Sequence, residues 1–110
     1  AFHAREELRA PRLIELAALD DTGFREFFRA SPVKRIGRDR FVRNVVIALG
    51  NSDGADALPA VRERLDDESA LVRGAAVWAL WRLDESAFGE ERAARLPGED
   101  DAEVRAEWAR

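Results

Sequence analysis

The side chains of this sequence best suited to chemistry are cations gathered in one segment. Residues 25–43 carry seven cations against two anions, a net charge of +5, whereas residues 51–110 carry a net charge of −7 and the whole chain −4. The seven are Arg25, Arg29, Lys34, Arg35, Arg38, Arg40 and Arg43. The planar arginine head group presents paired N–H donors that match phosphate oxygens. A basic block in an acidic chain therefore predicts a surface that binds a polyanion.

Few side chains in this sequence are suited to covalent or metal chemistry. The 110 residues include no cysteine and one histidine, His3, which excludes thiolate metal sites, iron–sulfur ligation and cysteine nucleophiles. The carboxylate pairs Asp66-Asp67 and Asp100-Asp101 have no histidine or cysteine near them in sequence, and they fit turns and helix caps better than a transition-metal site. We therefore expect a binding domain without metal, cofactor or catalytic residues.

The elements that must position these cations are helices. Apolar residues recur at helical spacing, and the pattern predicts six or seven helices without a sheet. The expected helices cover about residues 11–19, 22–29, 39–49, 57–65, 69–83, 86–96 and 101–110, with Asp56 and Asp100 among the candidate N-caps. The expected core contains Leu16, Phe28, Phe41, Val45, Leu49, Leu65, Val72, Ala76 and Leu80.

The helical pattern repeats along the chain. Leu71-Val72-Arg73 is matched by Glu103-Val104-Arg105 at an offset of 32 residues, and the segment from Pro59 to Leu80 resembles a HEAT-like repeat. The expected fold class is all-α, with stacked helical hairpins as HEAT-like repeats. In such a stack, we expect Arg73 and Arg105 to bond neighbouring turns, and we interpret Trp78 and Trp81 as core residues.

Residues 24–52 resemble the C-terminal part of tRNA epoxyqueuosine reductases. The stretch reads FREFFRASPVKRIGRDRFVRNVVIALGNS. The matching elements are Ser31-Pro32, Lys34-Arg35, Arg38, Arg43-Asn44 and Ala48-Leu49-Gly50-Asn51, and the lead-in Leu8-Arg9-Ala10-Pro11 is also similar. The match is specific over these residues and is generic for helical repeats in the rest of the chain.

This resemblance implies a division of labour within a larger protein. Such enzymes hold a cobalamin and two iron–sulfur clusters in an N-terminal part, followed by a HEAT-like domain that helps to hold tRNA, and they reduce epoxyqueuosine to queuosine at the wobble position. We therefore expect residues 1–10 to be a connector from a missing N-terminal catalytic part and residues 11–110 to be the HEAT-like domain. We expect this piece to be no enzyme itself. Its expected setting is the cytoplasm, as a monomer without membrane contact, with tRNA and the parent's catalytic domain as partners.

The resemblance and the charge pattern together name the expected tRNA contacts. They are Arg29, Lys34, Arg35, Arg38, Arg40, Arg43 and Asn44. Alternatives stay open: the cations could pair with the acidic half of the same chain, and the repeats could form a protein-interaction scaffold with no RNA role. A structural role fits Arg43, Asn44 and Asn51 as well as an RNA role does.

Overall fold

The structure, a computed structural model, describes residues 10–52 and 56–110. The expected connector over residues 1–10 lies outside these residues except for Ala10, where the first helix begins. The described part contains seven α-helices and no strand, which confirms the all-α prediction. The helices are α1 (Ala10–Ala17), α2 (Asp21–Phe27), α3 (Arg38–Gly50), α4 (Ala57–Arg64), α5 (Ala70–Leu83), α6 (Glu85–Arg95) and α7 (Ala102–Trp108), with 3₁₀ helices at Pro32–Ile36 and Leu96–Gly98.

Six of these helices stack as three pairs in two layers. The pairs are α1 with α3, α4 with α5, and α6 with α7, the last joined by the Phe88 and Trp108 rings at a centroid distance of 5.3 Å. Helices α3, α5 and α7 form one layer, and the central helix α5 packs against α3, α4, α6 and α7. The molecule measures 42 × 28 × 16 Å, so its shortest dimension is about two helices thick.

The core lies between the two layers and follows the apolar spacing of the sequence. Eight of the nine predicted core residues are buried, and the ninth, Phe41, is half-buried against the core. Helix α5 contributes Ala75, Ala76 and Ala79 to this core, and these small side chains let α3 approach closely. At Gly50, the last residue of α3, an added Cβ would lie 2.9 Å from the Ala79 Cβ and 3.0 Å from its Cα.

The connection inside the first pair is long and carries most of the basic block. Short connections join the two helices inside each of the other pairs, residues 65–69 between α4 and α5 and residues 96–101 between α6 and α7. The connection between α1 and α3 is longer and covers residues 18–37. This insert holds α2, capped by the Asp20 carboxylate, which accepts a hydrogen bond from the Gly23 N–H at 2.7 Å. It also holds the first 3₁₀ helix, and it ends at Gly37, whose φ of +83° favours glycine.

Aromatic rings in tilted and edge-to-face contact fasten the insert to α3. Phe24 and Phe28 are buried, and the Phe41 ring of α3 packs against them at centroid distances of 5.5 and 4.8 Å. Aromatic pairs at such separations add to the stabilisation from area burial. The insert is therefore a packed part of the domain, and its polar side chains extend from a fixed support.

Arginines in the first turn of three helices bond the connections inside the helical pairs. Arg38 Nε donates to the Leu19 carbonyl at 2.7 Å. Arg73 Nη1 donates to the Asp67 and Glu68 carbonyls at 3.0 Å. Arg105 Nη1 donates to the Leu96 and Glu99 carbonyls. The expectation that Arg73 and Arg105 bond neighbouring turns is confirmed.

Two of these arginines also form ion pairs with the turn of the following pair. Arg38 holds Asp67 with two hydrogen bonds, at 2.9 and 2.7 Å, and Arg73 holds Glu99 in the same way at 3.0 Å. Burial alone would raise the pKa of Asp67, but hydrogen bonds from Arg38 and the Ser69 N–H outweigh it and lower the pKa below its ordinary value. The hydrogen bonds from Arg73 lower the pKa of Glu99.

We predict that Leu80→Ala lowers the free energy of unfolding by about 2–5 kcal/mol, because Leu80 is fully buried and the surrounding helices cannot close the cavity. Leu71→Ala on the same helix is the matched control. Its side chain is 39% exposed, so the loss should stay within about 0.5 kcal/mol. Urea unfolding measures both, and equal losses would contradict the placement of the core.

We predict opposite effects of the same change at two glycines. Gly50→Ala should cost about 1–3 kcal/mol, because the new methyl group meets the Ala79 backbone, which cannot move aside without shifting α5. Gly89→Ala, in α6, meets no atom within 4 Å and should stabilise by about 0.5–1 kcal/mol through helix propensity. Thermal unfolding of both variants gives the signs, and a stabilised Gly50→Ala variant would refute the close packing.

We predict that Asp67→Asn destabilises the fold by about 3–5 kcal/mol at pH 7, because it leaves the Arg38 guanidinium partly buried without its partner. The folded-state pKa of Asp67 lies below its unfolded value of about 3.9. Its stabilising contribution is therefore present above that pH and is lost as the pH falls through the folded-state pKa.

The dependence of unfolding free energy on pH between neutral and acid conditions should accordingly become shallower in Asp67→Asn. The control Glu68→Gln removes a neighbouring charge from an exposed side chain and should leave the curve almost unchanged. An Asp67→Asn variant as stable as the parent chain at pH 7 would show that the pair does not hold the stack together.

Candidate nucleic-acid interface

Three of the predicted contact residues are exposed cations on the insert and the first turn of α3. Lys34 and Arg35 belong to the 3₁₀ helix Pro32–Ile36, and Arg40 belongs to α3. Within the part of the chain that the structure describes, none of the three side chains has a hydrogen-bond or ion-pair partner. Their charges are therefore available to a ligand without breaking an intramolecular contact.

Two further cations of the block lie on α2 or directly after it, in exposed local pairs. Arg29 contacts Glu26 at 3.2 Å, and Arg25 contacts Asp21 at 3.2 Å, with arginine side chains 74% and 69% exposed. Pairs of this kind in open solvent contribute little to stability. Arg29, one of the predicted contacts, therefore remains accessible.

Arg38 differs from the other predicted contacts, and the structure corrects its role. Its side chain is 11% exposed, and its N–H groups donate to the Leu19 carbonyl, to Asp39 and twice to Asp67. These hydrogen bonds, led by those to Asp67, raise the pKa of Arg38. A phosphate would have to displace a buried carboxylate to reach it, so we assign Arg38 to the fold.

Arg43 and Asn44 lie on the outward stripe of α3. The Arg43 Nε donates to the Asn44 Oδ1 at 2.9 Å, and Asn44 is exposed. Arg40 and Arg43 extend the basic surface of the insert along α3, with the exposed Asn44 and the exposed apolar Ile47 beside them. The structure places Lys34 and Arg35 on the insert and Arg40, Arg43 and Asn44 on the adjoining helix α3.

Most cations of the acidic half are engaged in ion pairs, some between helical pairs and some within one helix or its following turn. Arg62 contacts Glu91 at 3.1 Å, Arg64 contacts Asp67 at 3.5 Å, and Arg95 pairs with both Asp66 and Glu91. The Arg95 guanidinium lowers the pKa of Asp66 and of Glu91. Positive charge without a partner is therefore concentrated on the α2–α3 end of the molecule.

Sequence reasoning missed a cation that joins α5 to this surface. The Arg82 Nη2 donates to the Asn51 Oδ1, a long contact of 3.4 Å, and the Arg82 guanidinium lies 5.7 Å from the Trp78 ring centroid. Arg82 was overlooked because it lies far beyond the basic block, in the acidic half. The available signal was the offset of 31 residues between Asn51 and Arg82, which is close to the repeat length.

The described residues contain neither a metal-binding cluster nor a membrane-spanning helix. No group of three or more histidine, cysteine, aspartate or glutamate side chains among them is placed to hold a metal ion. None of the helices within residues 10–52 and 56–110 is long and apolar enough to span a membrane.

Comparison with known proteins supports the inferences from the sequence. Residues 38–110 match the family described as HEAT repeats. The epoxyqueuosine reductase of Xanthomonas campestris pv. campestris is 41% identical over 80 residues, covering 72% of this chain and 22% of that protein. The Bacillus subtilis epoxyqueuosine reductase is 31% identical over 102 residues, covering 92% of this chain and 26% of that protein.

A solved structure gives the same picture in three dimensions. The crystal structure of an epoxyqueuosine reductase with an epoxyqueuosine-modified tRNA-Tyr stem loop superposes with a TM-score of 0.80 at 31% identity, covering 88% of this chain and 26% of that one. The resemblance to epoxyqueuosine reductases is confirmed, and this chain spans about a quarter of the length of the relatives it matches. The sequence match over residues 38–110 and the stacked helical pairs together show that the chain belongs to the HEAT repeat family.

Proposed function

We propose that this chain is the tRNA-contacting HEAT domain of an epoxyqueuosine reductase. The observation that carries the proposal is the set of exposed cations with unpaired side chains, Lys34 and Arg35 on a packed insert and Arg40 on the first turn of α3. It is supported by a similar chain that was solved with a tRNA stem loop. A protein-interaction scaffold explains the helical stack equally well but gives no reason for a cationic face on an acidic chain.

The proposed contacts are made mainly to the RNA backbone. Lys34, Arg35, Arg40 and Arg43 supply the charge, with Asn44 and Arg29 beside them. Because the insert is fastened by Phe24 and Phe28, little chain entropy is lost when it meets RNA. Backbone contacts position an RNA but carry little sequence information, so the domain orients the tRNA and leaves its selection to other parts of the enzyme.

The reaction itself, reduction of epoxyqueuosine in tRNA, belongs in this proposal to the rest of the parent oxidoreductase. The chain has no cysteine, so its donor set does not fit iron–sulfur clusters, and we assign these clusters and the cobalamin to the catalytic part. We place the domain in the cytoplasm, as a monomer docked on that catalytic part.

We predict that the chain binds a tRNA anticodon stem loop weakly and with strong salt dependence. If about four phosphates are neutralised, the logarithm of the association constant should fall with the logarithm of salt concentration at a slope of roughly −3 to −4. The dissociation constant should lie on the order of 10⁻⁴ to 10⁻⁶ M near physiological salt. Fluorescence anisotropy of labelled RNA across a salt series measures both quantities.

The variant Arg35→Gln with Arg40→Gln tests the assignment of the site. It should weaken binding and flatten the slope by about 2, while circular dichroism stays unchanged because both side chains are exposed. The control, Arg92→Gln with Arg110→Gln, removes the same charge from exposed residues in the third helical pair. Equal losses in both variants, or RNA binding without salt dependence, would contradict the proposal and favour the scaffold.

A further inference from the structure

Trp78, Arg82 and Asn51 form a small cluster where the end of α3 meets α5. The Trp78 ring lies directly over Gly50, since an added Cβ there would come within 2.8 Å of its Cζ3 atom. The Arg82 guanidinium lies over the same ring and reaches Asn51, the residue that follows α3. Two helices from successive pairs therefore build this cluster together, and the small residue at Gly50 makes it possible.

Arg82 is an exposed cation held in place without a carboxylate. The described residues place no acidic group within ion-pair distance of it, whereas Arg73 on the same helix is bonded to Glu99 and to two carbonyls. The Arg82 Cζ lies 5.7 Å from the Trp78 ring centroid, and its Nη2 donates to the Asn51 amide oxygen at 3.4 Å. The side chain is exposed to solvent, and these two contacts restrict it, so part of its conformational entropy is already lost before a ligand binds.

The cluster adjoins the surface that we propose for the RNA backbone. A cleft lined by Arg43, Ile47, Leu71 and Trp78 runs between α3 and α5, and Ile47 and Leu71 are apolar side chains 36% and 39% exposed. At its other side, the cleft meets Glu103 and Glu107 of α7. These carboxylates repel phosphate, so a bound strand is confined to the α3–α5 side.

We propose that Arg82, Trp78 and Asn51 hold one unpaired nucleotide of the RNA, an inference that rests on the proposed function. The base stacks on the solvent-facing side of the Arg82 guanidinium, whose Cζ lies 5.7 Å from the Trp78 ring centroid. The Asn51 Nδ2–H groups remain free to donate to an acceptor on the base edge, because its Oδ1 is occupied by Arg82. Unpaired bases are recognised by stacking on aromatic rings or arginine planes, whereas bases inside a helix have both faces covered.

The test separates the effect of the charge of the Arg82 side chain from the effect of its planar guanidinium. Arg82→Lys keeps the charge but loses the planar face, and Arg82→Gln loses both. Each variant of the 110-residue chain is titrated with two RNAs, a hairpin with an unpaired loop and a blunt duplex with the same number of phosphates. Arg92→Lys, an exposed arginine on α6, is the matched control.

We expect Arg82→Lys to weaken binding of the loop RNA by about five- to tenfold through lost stacking, with the salt slope and the duplex affinity unchanged. Arg82→Gln should weaken both RNAs and flatten the slope by about 1. The inference would be overturned if Arg82→Lys bound both RNAs as tightly as the parent chain does. It would also be overturned if this variant lost the same affinity for both RNAs.

Spectroscopy gives a second readout that separates this inference from the proposed function. The Trp78 indole N–H resonance should shift when loop RNA is added, while that of Trp108, which is 1% exposed, should not. One set of results would keep the backbone surface and refute the nucleotide site. In that set, Arg35→Gln with Arg40→Gln weakens RNA binding, the Trp78 resonance does not shift with either RNA, and Arg82→Lys binds both RNAs as tightly as the parent chain does. If the loop RNA does not bind the parent chain, both are wrong.

Discussion

The ion pair between Arg38 and Asp67 is the contact on which the arrangement of this molecule depends. Arg38 begins α3, its Nε bonds the Leu19 carbonyl after α1, and its Nη atoms bond Asp67 in the turn between α4 and α5. One side chain thus ties the first helical pair, the insert and the second pair together. Removing either partner would leave a poorly solvated charge, which is why such pairs fix geometry more than they add net stability.

The position of Arg38 also determines which of its neighbours face solvent. Because its side chain turns inward, the flanking cations on the 3₁₀ helix and on the first turn of α3 remain on the surface. The later pairs use their arginines for the same stacking purpose, through Arg73 to Glu99 and Arg95 to Asp66. Among the described residues, exposed cations without a side-chain partner are therefore concentrated on the first pair, where the long insert provides surface beyond what the stack requires.

The sequence was sufficient to predict the fold, because helical periodicity and cap residues are local signals. The apolar spacing identified eight buried core residues, and Ser69 begins α5 as an N-cap, close to the expected start. The sequence does not show which acidic residue near the start of a helix caps it. Asp101, not Asp100, caps α7, and the Asp56 side chain makes no cap hydrogen bond. Only a residue with extended backbone at the right step can cap, and sequence does not show that.

The site could be predicted only in part, because long-range pairing is invisible in a charge count. Arg38 and Arg40 are two residues apart and look equivalent in sequence, yet Arg38 pairs with a carboxylate 29 residues away and Arg40 is exposed. Arg82 was missed for the opposite reason, since it lies in a segment of net negative charge but packs beside the end of α3. Both contacts, of Arg38 with Asp67 and of Arg82 with the end of α3, form only when the helical repeats stack.

The central claim is that the RNA surface lies on the insert and the outward stripe of α3. The most direct measurement is a nuclear magnetic resonance titration of the isotope-labelled chain with a tRNA anticodon stem loop, followed through every backbone amide. Shifts should concentrate over residues 31–44 and decline towards α6, with little change over residues 85–98. Shifts centred on α6 and α7, or spread evenly over the chain, would contradict the account.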